Sequence, residues 1–157
     1  MNGRTIVGVA GIATAAAVGI SNAARRNDAG EITEAGAVSA FEVRVGDCFD
    51  DGAFENTEVQ ELPAIPCSQP HDNEIYATFD IPGEWPGVER IGELAGEGCL
   101  DRFAAAIGKA YEDSEIDLTT IYPTEGSWNQ RSDREVICVA YHVDQEKLTG
   151  SVLGSGR

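Results

Sequence analysis

The sequence is poor in the residues that most chemistry depends on. It has two histidines, one methionine and two tryptophans in 157 residues. Neither GxSxG nor HExxH occurs, which removes the two commonest local signatures of a serine hydrolase and a zinc protease. A glycine-rich phosphate loop is also missing, and so is a basic stripe interleaved with aromatics. The four cysteines include no CxxC pair, which argues against a zinc ribbon or a thioredoxin-like site. Basic residues are scarce, with 11 Lys and Arg against 27 Asp and Glu and a net charge of -16. Three of the 11, Arg4, Arg25 and Arg26, precede the first acidic residue, Asp28, so 8 basic residues face all 27 acidic ones from there onward. Such a surface is repelled by nucleic-acid phosphates and by anionic lipid headgroups. No nucleic-acid partner is expected, and the charge serves solubility first, with a cation or a basic partner as the remaining electrostatic options.

What is present begins with an uncharged stretch, residues 5–24 (TIVGVAGIATAAAVGISNAA). As a helix it would span about 30 Å, one hydrocarbon core. It is rich in Ala and Gly and contains no Leu, and Arg4 and Arg25-Arg26 flank it almost symmetrically. The expectation is an N-terminal hydrophobic helix within residues 1–25, serving as a single-pass plasma-membrane anchor. Cleavage after Ala23, behind Ser21-Asn22-Ala23, would instead release a secreted protein. Residues 26–40 read as a polar tether, residues 41–153 as one extracytoplasmic domain, and residues 154–157 as a tail.

Cys48, Cys67, Cys99 and Cys138 form an even set behind an export segment, which reads as two disulfides facing an oxidising compartment. Of three possible connectivities, loop locality favours Cys48–Cys67 and Cys99–Cys138. Phe41, Val43 and Val45 alternate with Glu42 and Arg44 and predict a strand leading to Cys48. Residues 59–66 contain Pro63 and Pro66, predicting a short or edge strand. Ile75, Ala77 and Phe79 predict another strand, and Val136–Tyr141 (VICVAY) a central one buried on both faces. Residues 88–107 read as the main helix, with Ile91, Leu94, Ala95, Cys99, Phe103 and Ala106 on its inner half. Gly92, Gly96 and Gly98 weaken it by about 1 kcal/mol each relative to Ala. A last short strand is expected at residues 149–153. The fold class is α+β: a small, mainly antiparallel sheet with one long helix across a face.

Functional residue types concentrate in residues 67–74 (CSQPHDNE). A triad of Ser68, His71 and Asp72 is disfavoured because triads converge from distant parts of a chain. A metal site through His71 and Glu74 would have only His142 as a second imidazole. The stretch reads as a rigid turn before a strand, with Ser68, His71, Asp72 and Glu74 as candidate recognition residues. Asp47, Asp50 and Asp51 do not follow the spacing of an EF-hand loop. Trp85 and Trp128 flank turns and suit a plug over the sheet, or an exposed pair for sugar or peptide. No catalytic residue, metal or cofactor is expected.

Several of these stretches together resemble the actinobacterial septum formation family. They are RVGDCFDD (44–51), PCSQPHDNEIYATFD (66–80), the helix carrying GC (98–99), YPTEGSW (122–128), VICVAY (136–141) and LTGS (148–151). The likeness runs from about Phe41 to Ser151, its most specific part is the PCSxPHDxE run, and all four cysteines fall in the pattern. Residues 26–40 also resemble the leaders of that family. The membrane segment is poorer in Leu and Ile than such leaders. The resemblance implies a small extracytoplasmic domain behind one membrane segment, with a role in septum formation. It carries over no catalytic residue. The expectation is therefore a membrane-tethered, non-enzymatic interaction domain with cell-envelope or division proteins as partners. A secreted domain binding a cation, sugar or peptide is the alternative, and a hydrolase using His71 the third reading.

Overall fold

The computed structural model describes residues 22–52 and 58–157, together with the backbone of residues 7–10. Nine strands, two α-helices and one 3₁₀ turn, Tyr111–Asp113, are described. The strands are β1 (Val7–Ala10), β2 (Arg25–Arg26), β3 (Ile32–Glu34), β4 (Gly36–Ser39), β5 (Cys48–Phe49), β6 (Glu61–Ile65), β7 (Asn73–Asp80), β8 (Ile116–Tyr122) and β9 (Glu135–His142). The helices are α1 (Val88–Ile107) and α2 (Glu125–Arg131). Seven strands form one sheet in the order β1-β8-β9-β7-β5-β6-β4, and β2 and β3 form a separate hairpin. Every pair in the sheet is antiparallel except β1 with β8.

The α+β class holds: one long helix lies on one face of a curled antiparallel sheet. Helix α1 buries Ile91, Ala95, Cys99, Phe103 and Ile107, the stripe its sequence marks out. Against it lie Val136, Cys138 and Ala140 of β9 and Ile116 and Leu118 of β8. The opposite face of the same strands, Ile137, Val139 and Ile121, closes over Phe49, Leu62 and Ile75. This is why β9 is apolar at consecutive positions. A bulge at β7, between Ile75 and Ala77, puts Tyr76 and Ala77 on the helix side together. The Tyr76 hydroxyl donates to the Cys99 carbonyl oxygen at 2.8 Å. At the end of α1, the amides of Gly154 and Gly156 donate to the carbonyls of Ala106 and Ile107. Residues 154–157, expected as a tail, thus satisfy carbonyls that the helix leaves open.

Other expectations are corrected. Residues 26–40 are not a tether: Arg26, β3 and β4 are folded onto the domain, with Ile32 and Val38 packed on Ala64 of β6. The Arg26 guanidinium grips the buried carboxylate of Asp47, with one nitrogen to Oδ2 at 2.7 Å, and donates to the Gly30 carbonyl at 2.8 Å. Residues 41–47 are a turn rather than a strand. Gly46 adopts φ +91°, a left-handed backbone that breaks the extended run. Asp47 Oδ2 also accepts the Arg44 amide at 2.8 Å, which holds the turn closed.

Strand β6 is short, as expected, at five residues, but it is internal rather than at an edge, although it carries Pro63. Its partner Ala37 turns both its amide and its carbonyl toward residues 22–24, so the Ala37–Pro63 pair exchanges no ladder bond and the missing proline N–H is not needed there. Residues 149–153 form no strand; only Leu148 makes a bridge, to His71. Within the segment 5–24, the four residues of β1 are strand, paired Val7 to Thr119 through Ala10 to Tyr122, and not helix. Residues 5–6 and 11–21 of that segment lie outside the described residues. No helix among the described residues is long and apolar enough to cross a membrane.

Candidate functional site: a buried histidine and glutamate beside a disulfide

Both disulfides pair as loop locality suggests, Cys48 with Cys67 and Cys99 with Cys138. The first organises the candidate site. Cys48 lies in β5, opposite Ile65 of β6 and Glu74 of β7. Cys67 lies in the turn after β6, where the Gln69 amide donates to the Pro66 carbonyl. The Cys67 sulfur rests 3.2 Å from the Gly46 carbonyl oxygen, a sulfur–oxygen contact, since a disulfide has no thiol proton to donate.

His71 follows that turn and is completely buried. Its amide donates to the Leu148 carbonyl at 3.0 Å, and its carbonyl accepts the Leu148 amide at 2.7 Å. The ring Nδ1 lies 2.7 Å from the Gln69 carbonyl oxygen and therefore carries the proton. Nε2 is left as an acceptor, buried, with no hydrogen-bond partner among the described residues. Glu74 is also completely buried. Its Oε1 accepts the Ser151 hydroxyl, and its Oε2 accepts the Val152 amide at 2.6 Å. Burial pushes the Glu74 carboxyl above its ordinary range; the Ser151 hydroxyl, the Val152 amide and the neighbouring His71 pull the other way. A nitrogen of His71, an oxygen of Glu74 and the sulfur of Cys48 all lie within 4.8 Å of one another. With Cys48 in a disulfide, that sulfur is no thiolate ligand, and two protein ligands do not make a structural metal site.

The remaining candidates are dispersed. Ser68 is exposed in the turn. Asp72 accepts the Asp51 amide through Oδ2 and pairs with Lys147 at 2.8 Å. Lys147 also reaches Asp50 at 2.8 Å, and Asp51 accepts from the Asn73 side chain at 2.7 Å. The Asp47, Asp50 and Asp51 run is thus divided among Arg26, Lys147 and Asn73. Trp128 is buried against α1 and meets Trp85 edge to face with ring centroids 5.5 Å apart. The Arg134 guanidinium lies 3.8 Å from the Trp128 ring centroid. The two tryptophans form an edge-to-face plug, with Trp85 only half-exposed.

Residues that sequence reasoning passed over complete the site. Leu148 and Ser151 come from the LTGS run and Val152 follows it directly; no local pattern encodes their nearness to the PHDNE run. Arg26 sat in the supposed tether, and Lys147 in an unremarkable polar loop.

These features define a small α+β domain stapled by two disulfides, in which the most distinctive run of the sequence locks the C-terminal segment to the sheet. The family model for Septum formation matches residues 45–155, and the chain belongs to that family. The matched span takes in all four cysteines, His71 and Glu74. No curated protein and no solved structure matches the chain. Membership connects the domain with septum formation, and so with cell division and the cell envelope.

Proposed function

We propose that this chain is a membrane-tethered, non-enzymatic interaction domain acting on the extracytoplasmic side of an actinobacterial cell during septum formation. The single observation that carries the reading is the use made of the PCSQPHDNE run. Its cysteine, the backbone of its histidine and its glutamate hold segments of chain together, and the residues it leaves exposed are Ser68, Gln69 and Pro70. A rigid turn fixed by a disulfide presents such side chains at low entropic cost to a partner. The strongly acidic surface favours a partner with a basic face and keeps nucleic acid away. Two disulfides support a domain facing an oxidising compartment, and the tether rests on the length and lack of charge of residues 5–24.

One observation weighs against a span over the whole of residues 5–24. Val7–Ala10 lies beside β8, and a segment cannot be a strand there and cross a bilayer at once. Fractionation of producing cells tests the proposal. The expected result is intact chain in the membrane fraction, its domain digestible from outside, and division or envelope proteins recovered after cross-linking in place. A mature N-terminus near Ala24 in the culture fluid would establish secretion instead.

A further inference from the structure

The two disulfides sit in unlike surroundings. Cys99 and Cys138 are both sealed in the apolar core between α1 and β9. Cys48 is sealed as well, but Cys67 is half-exposed in the 66–69 turn. Beside Cys48 stand two buried side chains able to hold and release a proton, His71 and Glu74, each with an atom within 4.8 Å of its sulfur. The backbone of His71 alone makes the bridge to Leu148, and Nδ1 alone meets the turn. Nothing in that architecture uses Nε2, which is buried without a partner among the described residues. A half-exposed cysteine joined to a sealed one, with two side chains able to exchange a proton beside the sealed one, suits thiol–disulfide exchange. The outer sulfur takes the attack, and the inner one must leave and be protonated where water cannot reach.

We propose that Cys48–Cys67 is an exchange site for a dithiol carried by a partner protein, attacked at Cys67, with the Glu74–His71 pair protonating Cys48. In the first step a partner thiolate bonds to the Cys67 sulfur, the Cys48–Cys67 bond breaks, and the Cys48 sulfur leaves with the electron pair and takes a proton from the Glu74–His71 pair. In the second step the partner's other thiolate attacks its own sulfur in the mixed disulfide. Cys67 leaves as a thiolate and is protonated from water, and the buried pair recovers its proton from water. Two electrons pass from the partner dithiol, which ends as a disulfide, to this chain, which ends with two thiols. Cys99–Cys138 takes no part. This goes beyond the interaction-domain reading and does not depend on the membrane anchor.

The test follows both disulfides in the same folded full-length molecules. The chain is exposed to dithiothreitol without denaturant, quenched by alkylation at intervals, and mapped by mass spectrometry. Cys48–Cys67 is expected to open at least about tenfold faster than Cys99–Cys138. Glu74→Gln is expected to slow the opening of Cys48–Cys67 by about tenfold and leave Cys99–Cys138 unchanged. A substitution that merely loosened the fold would speed both, so the sign separates the two explanations. Cys48→Ala, which leaves Cys67 as a lone thiol, is expected to form a mixed disulfide with glutathione disulfide while folded, releasing one reduced glutathione. Opening of both bonds together at the rate of global unfolding would overturn the proposal, as would an unchanged or faster Cys48–Cys67 in Glu74→Gln.

Discussion

Arg26 holds Asp47 with two nitrogens, one 2.7 Å from Oδ2, and the same guanidinium reaches the Gly30 carbonyl. The carboxylate is buried next to Cys48, and it also closes the turn through the Arg44 amide. Arg26→Ala therefore strands a buried charge and frees the β2–β3 hairpin. The expected loss is about 2–3 kcal/mol, read as a lower urea midpoint. A change within about 0.5 kcal/mol, the level of an ordinary surface substitution, would show the hairpin to be a passive lead-in.

Gly98 faces the ring of Phe79, and a Cβ built there would stand 2.2 Å from the nearest ring carbon. Phe79 is itself held under Arg102, whose guanidinium carbon is 4.1 Å from the ring centroid. Gly98→Ala should therefore destabilise the domain by about 1–3 kcal/mol through overpacking, despite the gain of about 1 kcal/mol in helix propensity. Thermal unfolding of the variant decides it, and a raised Tm would contradict the packing argument.

The Glu74 carboxyl is raised by burial, against the opposing pull of Ser151, Val152 and His71. A raised carboxyl keeps its proton in the folded chain at a pH where the unfolded chain has released it. Its contribution to stability is thus complete below the ordinary carboxyl range, about pH 4, and is lost as pH rises through the folded value. Glu74→Gln cannot ionise. The wild type should lose stability relative to Glu74→Gln as pH rises from about 4 to 7, measured as the difference between their urea midpoints. Parallel pH profiles would contradict this.

The Cys99–Cys138 bond closes a loop of 39 residues and the Cys48–Cys67 bond one of 19. Loop entropy gives about 4 kcal/mol for the first and about 3 kcal/mol for the second. Replacing Cys99 and Cys138 by Ala together should cost more than replacing Cys48 and Cys67. The reverse order in chemical denaturation would mean that the Cys48 side carries more of the fold than chain entropy implies.

Where one physical cause ruled a segment, the sequence was readable. Helix α1 spans Val88–Ile107 as its apolar stripe predicts, and β9 covers the VICVAY run. Strand β7 includes the predicted Ile75–Phe79 alternation. Where two causes competed, the reading failed. Phe41, Val43 and Val45 alternate like a strand, yet Gly46 and Asp47 bend the chain, and Val45 stays 51% exposed. Strand β8, Ile116–Tyr122, gives no signal because its buried faces include Asp117, Thr119 and Thr120, so it has neither alternation nor the continuous apolar run of β9. Helix α2 starts on a capping box with Ser127, not Glu or Gln, at the third position, and so escaped the usual signature. At the site, the disulfide pairs and the density of the 67–74 run were legible. The burial of His71 and Glu74 was not, because it depends on Leu148, Ser151 and Val152, far off in sequence. Helix propensity counts the helical glycines only as a weakness, but at Gly98 the missing side chain makes room for Phe79.

The grip of Arg26 on Asp47 also sets a length. A free stretch over residues 26–40 would let the domain wander up to about 50 Å from its point of attachment. With Arg26 clamped, and Ala24 bonded through its amide to Ala37, that slack is gone. Whatever precedes Asn22, residues 22–40 therefore carry its position to the sheet without slack, and a pull on that end is felt at β4 and β6 rather than taken up by a linker.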